Sequence, residues 1–347
     1  MHRTLILLLA ILACATAADD TATLASSQDA LLGAQIASFG KTTWVNREQA
    51  PVTTGRILVV EAWATWCGPC RESIPMLGAI QANNADRVTV IGVTSEDRDT
   101  VQPFVALMKP DYAIAIDPAL YSAIIGSENR VPTAVVTDAT GTILYRGHPA
   151  KLGIVLPEIV SGTWSVTKSR RLNATEHALE QAMAAARAGI QGQDGVRDGA
   201  IDDIERAALG VLAVVPGHPF AMRIALGARQ HRGDRQAYRK LVVDIPDASV
   251  TTALVITIGN DLLADQDIAY RQPDQALRLA QAAWKRNPAD VTARKAYATV
   301  LAGIGRPALA RQVIGDLTLD GSIGDAGLRD YMSTMAAAQA YADAVGK

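Results

Sequence analysis

Cysteine is scarce in this sequence: 347 residues contain three, Cys14, Cys67 and Cys70. That count excludes a four-thiolate zinc site, and no histidine stands at ligand spacing from the Cys67/Cys70 pair. It also excludes a framework of disulfides of the kind that holds small exported domains together. An excess of positive charge is missing too. Lys and Arg number 33 against 35 Asp and Glu, a formal net charge of -2, so no basic face is offered to nucleic acid. A long hydrophobic span is absent from the N-terminus, where the apolar run from Leu5 to Leu12 is too short to cross a bilayer as an ordinary helix.

What that N-terminus has is a leader. "MHRTLILLLAILACATAADD" carries one arginine, the apolar run, and then small residues ending in Ala-x-Ala at Ala15 and Ala17. This is the pattern of a secretory signal peptide over residues 1–18, cut after Ala17 or Ala18. A competing reading takes "ILAC", Ile11 to Cys14, as a lipoprotein box in which Cys14 is acylated, with Leu12 departing from the small residue preferred there. Either route exports the protein to the bacterial periplasm or cell envelope. Cys14 belongs to the leader on both, so the exported part holds Cys67 and Cys70, and redox use is the reading left.

A chain of this length predicts two domains. The first, placed at 27–163, alternates apolar runs of β character with helical patterns: strands at 56–63, 87–94 and 133–138, a hairpin partner at 141–147, helices over Glu72–Ala82 and Asp99–Met108, and a closing helix at 151–160. The sum is a mixed sheet flanked by helices. The second, 164–347, reads as all-helical, with "GIQGQDGVRDG" (Gly189–Gly199) as a flexible interruption. Within it, residues 215–241 and 287–313 align at a constant offset of 72, Pro216 on Pro288 and Gly233 on Gly305. A helix pair repeating at about half that offset resembles the tetratricopeptide class, although large aromatics are missing at several packing positions. A plain irregular helical bundle is the alternative.

The chemistry is concentrated in "EAWATWCGPCRE", residues 61–72. A Cys-x-x-Cys between a strand and a helix puts the first thiol, Cys67, at the helix N-terminus, where unpaired backbone N–H groups favour the thiolate. Cys70, one turn on, is spaced to attack a mixed disulfide on Cys67. Glu61 stands between apolar neighbours, so burial raises its pKa toward a range useful for exchanging a proton with Cys70. Trp66 and Trp63 wall the site, and His148 reads as a solvated loop residue.

"WCGPC" at Trp66–Cys70 matches the thioredoxin active site at every position, and Pro75 matches the proline inside the thioredoxin active-site helix. Glu61 falls where thioredoxins carry their buried acid. "VPT", Val131–Thr133, looks like the segment whose proline is cis and faces the disulfide. With its leader, its glutamate and a long segment at 95–130 with a short strand at 112–116, the domain resembles the exported TlpA/ResA-type thiol-disulfide oxidoreductases. The resemblance implies that Cys67, Cys70, Glu61 and Pro132 are catalytic, and that Trp66, Gly68, Pro69, Val131 and Thr133 meet the substrate. It also implies a client protein bearing a disulfide and a membrane thiol carrier as electron source. The Gly68-Pro69 dipeptide is that of thioredoxin itself, whose potential is near -270 mV, so the reaction expected is reduction. One departure is the lysine that thioredoxins place near the buried acid, which "VTVIGVT" (Val88–Thr94) does not supply.

The dithiol chemistry calls for no cofactor or metal. Two other functions compete: a thiol peroxidase, for which Thr65 is present but the matching upstream proline is not, and a redox-decorated binding module in which the helical repeats recruit a protein partner.

Overall fold

The computed structural model describes residues 29–39, 41–191, 198–265, 267–286, 288 and 290–319. The segment read as a leader, with Cys14, lies outside the described residues, as does most of the interruption read at Gly189–Gly199. Among the described residues no helix is long and apolar enough to cross a membrane. The chain divides into two compact units between His177 and Ala178.

The central strands of the first unit are mostly apolar because both of their faces are covered. They form a six-stranded sheet in the order β1-β4-β3-β2-β5-β6: β1 (Thr43–Trp44), β2 (Ile57–Ala62), β3 (Val88–Thr94), β4 (Ala113–Ile116), β5 (Thr133–Thr137) and β6 (Ile143–Gly147). β2, β3 and β4 run parallel, while β1, β5 and β6 join antiparallel. Its helices are α1 (Gly68–Asn83), α2 (Arg98–Met108), α3 (Pro118–Ile125), α4 (Leu152–Val160) and the first part of α5 (Val166–Gln191). Alternation along β2 sends Leu58, Val60 and Ala62 into one core with Ile91, Val93, Leu120 and Ile124. The intervening Glu61 therefore points to the opposite face, where α1 meets it.

Arg146 on β6 is fully buried and ties the sheet to the end of α3. Its guanidinium donates to Ile124 O at 2.9 Å and Ile125 O at 2.8 Å and pairs with Glu128 at 2.8 Å. The domain limit read at 163 and the observed unit end differ by three turns of α5. Those turns stay with the first unit because Ser169 accepts from Trp164 Nε1 at 2.7 Å and donates to Leu144 O, Asn173 donates to Asp29 at 2.8 Å, and Glu176 pairs with Lys151 at 2.6 Å.

The second unit continues from α5 through α6 (Asp198–Val214), α7 (Pro219–Arg232), α8 (Arg235–Val243), α9 (Thr252–Ala264), α10 (Pro273–Arg286), α11 (Val291–Gly303) and α12 (Pro307–Leu319). Neighbouring helices pack as α6 on α7, α9 on α10 and α11 on α12. The internal match is visible in the caps. Gly233 and Gly305 both take left-handed conformations, φ 74° and 78°, after α7 and α11. Equivalent N-caps stand ahead of those helices, His218 accepting from Ala221 N at 3.2 Å and Asp290 from Thr292 N at 2.9 Å. Two aromatic pairs fill joints between elements: Tyr238 on α8 meets Tyr270, just ahead of α10, at 4.9 Å, and Trp284 on α10 meets Tyr297 on α11 at 5.0 Å. Gly217 is fixed by contact rather than by dihedral: a Cβ there would sit 1.8 Å from Ser249 O. Gly217→Ala is expected to cost about 2 kcal/mol as the backbone moves aside, read as a lowered denaturation midpoint.

Candidate active site

The site grows from the C-terminal end of β2. Register sets Glu61 opposite Gly92 on β3 and Ala134 on β5, with Ala62 opposite Thr133. Val131 and Pro132 therefore lie just past the paired end of β5, level with the loop that leaves β2. The Val131–Pro132 bond is cis, and Thr133 Oγ1 donates to Arg130 O at 2.8 Å.

After Trp63 the chain turns through Ala64–Trp66 into α1. Cys67 is the N-cap, its sulfur accepting from Cys70 N at 3.2 Å. Gly68 and Pro69 open the first turn, where a missing proline amide costs nothing. A helix read from Glu72 thus begins four residues earlier. Cys67 and Cys70 are joined by a disulfide and are 3% and 2% exposed. Trp66 beside them is 70% exposed, while Trp63 is buried and walls the site from within, beside Glu61 and Cys70. Pro75 lies inside α1.

Glu61 is 1% exposed. Burial pushes its pKa from 4.5 up to about 7, against a hydrogen bond from Ser73 that lowers it. That bond runs from Ser73 Oγ to Glu61 Oε1 at 2.5 Å, and the same hydroxyl lies 2.8 Å from Cys70 O. Glu61 and Cys70 line one small cavity with Trp63, Ile74, Phe104, Val105 and Tyr112; its volume of about 10 Å³ approaches that needed for one water molecule. Burial and the negative charge of Glu61 both raise the Tyr112 phenol, which therefore stays neutral.

Among the described residues no lysine lines the cavity beside the acid, and the register explains what replaces it. A Cβ on Gly92 would lie 2.9 Å from Ile114 Cδ1 and 3.1 Å from Trp63 Nε1, so the indole fills the space that a side chain opposite Glu61 would need. Trp63 stacks on Phe104 at 5.2 Å, and the Arg71 guanidinium lies 5.8 Å above the Phe104 ring.

Sequence reasoning missed the groups that hold the loop. Glu96 accepts from Thr65 N at 2.7 Å and from Thr65 Oγ1 at 2.8 Å. Arg71 donates to Thr65 O at 2.8 and 3.2 Å. Every polar group of Thr65 is thereby engaged two residues before Cys67. Glu96→Ala is expected to lower stability by about 1–2 kcal/mol by orphaning that amide, measured by urea unfolding of the oxidised protein. Ser73 had a signal, its position three residues after Cys70 on one helical face; Glu96 had none, since it meets Thr65 only once β3 has been paired. His148 is exposed, as read, and also caps the following turn, accepting from Ala150 N at 3.2 Å. Among the described residues no group of His, Cys, Asp and Glu side chains is arranged to hold a metal ion.

A mixed sheet with a Cys-x-x-Cys at the head of its first long helix, a buried acid on the adjoining strand and a cis-proline at the neighbouring strand end defines the thioredoxin-like class. The family described as Redoxin matches residues 46–154. The thioredoxin of Listeria monocytogenes is 31% identical over 75 residues, 21% of this chain and 73% of that protein. Thiol:disulfide interchange protein CycY of Rhizobium leguminosarum bv. viciae is 29% identical over 104 residues, 30% of this chain and 56% of the relative. HelX of Rhodobacter capsulatus, described in the same words, is 33% identical over 99 residues, 28% of this chain and 54% of the relative. The chain spans little more than half the length of these two. It belongs to the thioredoxin family through its first unit.

Proposed function

We propose that the protein is an exported thiol-disulfide oxidoreductase that reduces disulfides in client proteins. The observation that carries this reading is the Cys67–Cys70 disulfide at the start of α1, with Glu61 lining the cavity on which Cys70 also opens. In the reduced protein the Cys70 amide, already directed at the Cys67 sulfur, stabilises a thiolate there. That thiolate attacks one sulfur of the client disulfide. The client S–S bond breaks, and a Cys67–client mixed disulfide forms with release of one client thiolate.

Cys70 then gives its proton to Glu61 and attacks the Cys67 sulfur. The mixed disulfide breaks, its electron pair leaves on the second client sulfur, and the Cys67–Cys70 disulfide remains. The thiol:disulfide interchange relatives support this chemistry. Exposed Trp66, with Gly68, Pro69 and Val131, forms the client-facing surface, Pro132 and Thr133 lie buried behind it, and an extended client segment lies along Val131. A membrane thiol carrier returns electrons to the pair. The leader at residues 1–18 supports export to the periplasm or envelope, with Cys14 as an anchoring position if acylated. The second unit, 164–347 by the sequence reading, is tetratricopeptide-like and recruits a protein partner; the shared caps at Gly233 and Gly305 favour a repeat.

Direction is tested by equilibrating the dithiol against glutathione buffers. A potential near that of thioredoxin, about -270 mV, supports a reductant, and one near about -120 mV makes the protein an oxidant. Insulin reduction with dithiothreitol at the uncatalysed rate, by correctly folded protein, removes the reductase reading.

A further inference from the structure

The Ser73 hydroxyl stands between the Glu61 carboxyl, the acid of the proposed reaction, and the backbone carbonyl of Cys70. It is buried, 2.5 Å from Glu61 Oε1 and 2.8 Å from Cys70 O. One hydroxyl carries one proton, so it cannot donate to both at once. When Glu61 is a carboxylate, the hydroxyl proton belongs on Oε1, because a bond to the charged partner is the stronger. When Glu61 is protonated, its own O–H donates to Ser73 Oγ and the serine proton turns to Cys70 O. Both charge states of the acid are hydrogen-bonded, with no side chain moving.

We infer that Ser73 is a positioning residue whose hydroxyl reverses its hydrogen bond as Glu61 takes the proton of Cys70, setting the pH at which Cys70 resolves the mixed disulfide. This rests on the proposed role of Glu61. The elements packed around the acid offer few other influences. β3 presents Gly92, β5 presents Ala134 and α2 presents Phe104 and Val105; the titratable groups facing it are Cys70 on α1 and the neutral Tyr112 phenol ahead of β4. With no cation opposite, the hydroxyl is the polar contact that favours the ionised acid.

In the step itself, the Cys70 S–H proton passes to Glu61, and the Glu61 O–H then points at Ser73 Oγ. The Cys70 thiolate attacks the Cys67 sulfur, and the departing client thiolate takes a proton from solvent. Atoms and charge balance without a further reactant.

The test loads Cys67 of the reduced full-length chain with an aromatic disulfide reagent whose released thiolate is coloured, and follows the second release by stopped flow across pH. For the unaltered protein the rate should rise through an inflection that Glu61→Gln removes. Ser73→Ala should move that inflection upward by about one to two pH units, since hydrogen bonds to charged groups contribute about that much. Release at neutral pH should slow about tenfold, and Ser73→Thr should restore it. A Ser73→Ala profile that superimposes on the unaltered one, while Glu61→Gln removes the inflection, overturns the inference and leaves the base assignment standing. An inflection that survives Glu61→Gln overturns both. Should Ser73→Ala fail to fold, infrared difference spectra of the unaltered protein decide: a Glu61 carboxyl band at the position of a free carboxylic acid overturns the inference, and a hydrogen-bonded position supports it.

Discussion

Cys70→Ser should capture clients that the unaltered protein releases. Cys67 retains its place at the start of α1 and still opens a client disulfide, but position 70 no longer has a sulfur to displace the bound partner. The covalent adduct should accumulate stoichiometrically and disappear on reduction in a non-reducing gel. Cys67→Ser should yield no adduct and lower insulin reduction by about a thousandfold or more, since removing a nucleophile removes the covalent path. Capture of the same clients by Cys67→Ser would reverse the assignment of attacking and resolving sulfurs.

Glu61→Gln should stabilise the protein while impairing its chemistry. The acid is raised from 4.5 to about 7 by burial, so the folded state holds the proton more tightly than the unfolded chain does. Its contribution is favourable below the unfolded value and is lost as pH rises through the folded one. The gap corresponds to ~3 kcal/mol by pH 8. Glutamine, neutral at every pH, escapes that loss. Oxidised Glu61→Gln should therefore match the unaltered protein near pH 4 and exceed it by about 2–3 kcal/mol at pH 8, read from urea unfolding at both pH values. Parallel curves at the two pH values would show that Glu61 does not titrate with a raised pKa.

Much of this site was legible from residue order, because its chemistry is local. Cys67 and Cys70 are one helical turn apart, Glu61 lies on the strand that feeds their loop, and the apolar runs of β2, β3 and β5 announce strands covered on both faces. Pro132 came from resemblance rather than from periodicity. What stayed hidden depends on strand pairing. Glu96 reaches Thr65 only across the β2–β3 junction, and the two-residue β1 is too short to carry a pattern. α3 was submerged in a longer segment, although Asp117 caps it and Pro118 opens it. Gly92 carries no signal of its own within the strand, and its meaning appears only when the register sets it against Glu61.

That glycine also constrains how the protein could change. A single exchange that installs a counter-ion beside the acid is opposed by packing, because the first carbon of any side chain at position 92 would lie 2.9 Å from Ile114 Cδ1 and 3.1 Å from the Trp63 indole, and both would have to give way. A smaller residue at position 63 would make that room, at the expense of the stacking on Phe104. Homologues that carry a cation at this position should therefore have a smaller residue at the tryptophan's, and the two sites should vary together.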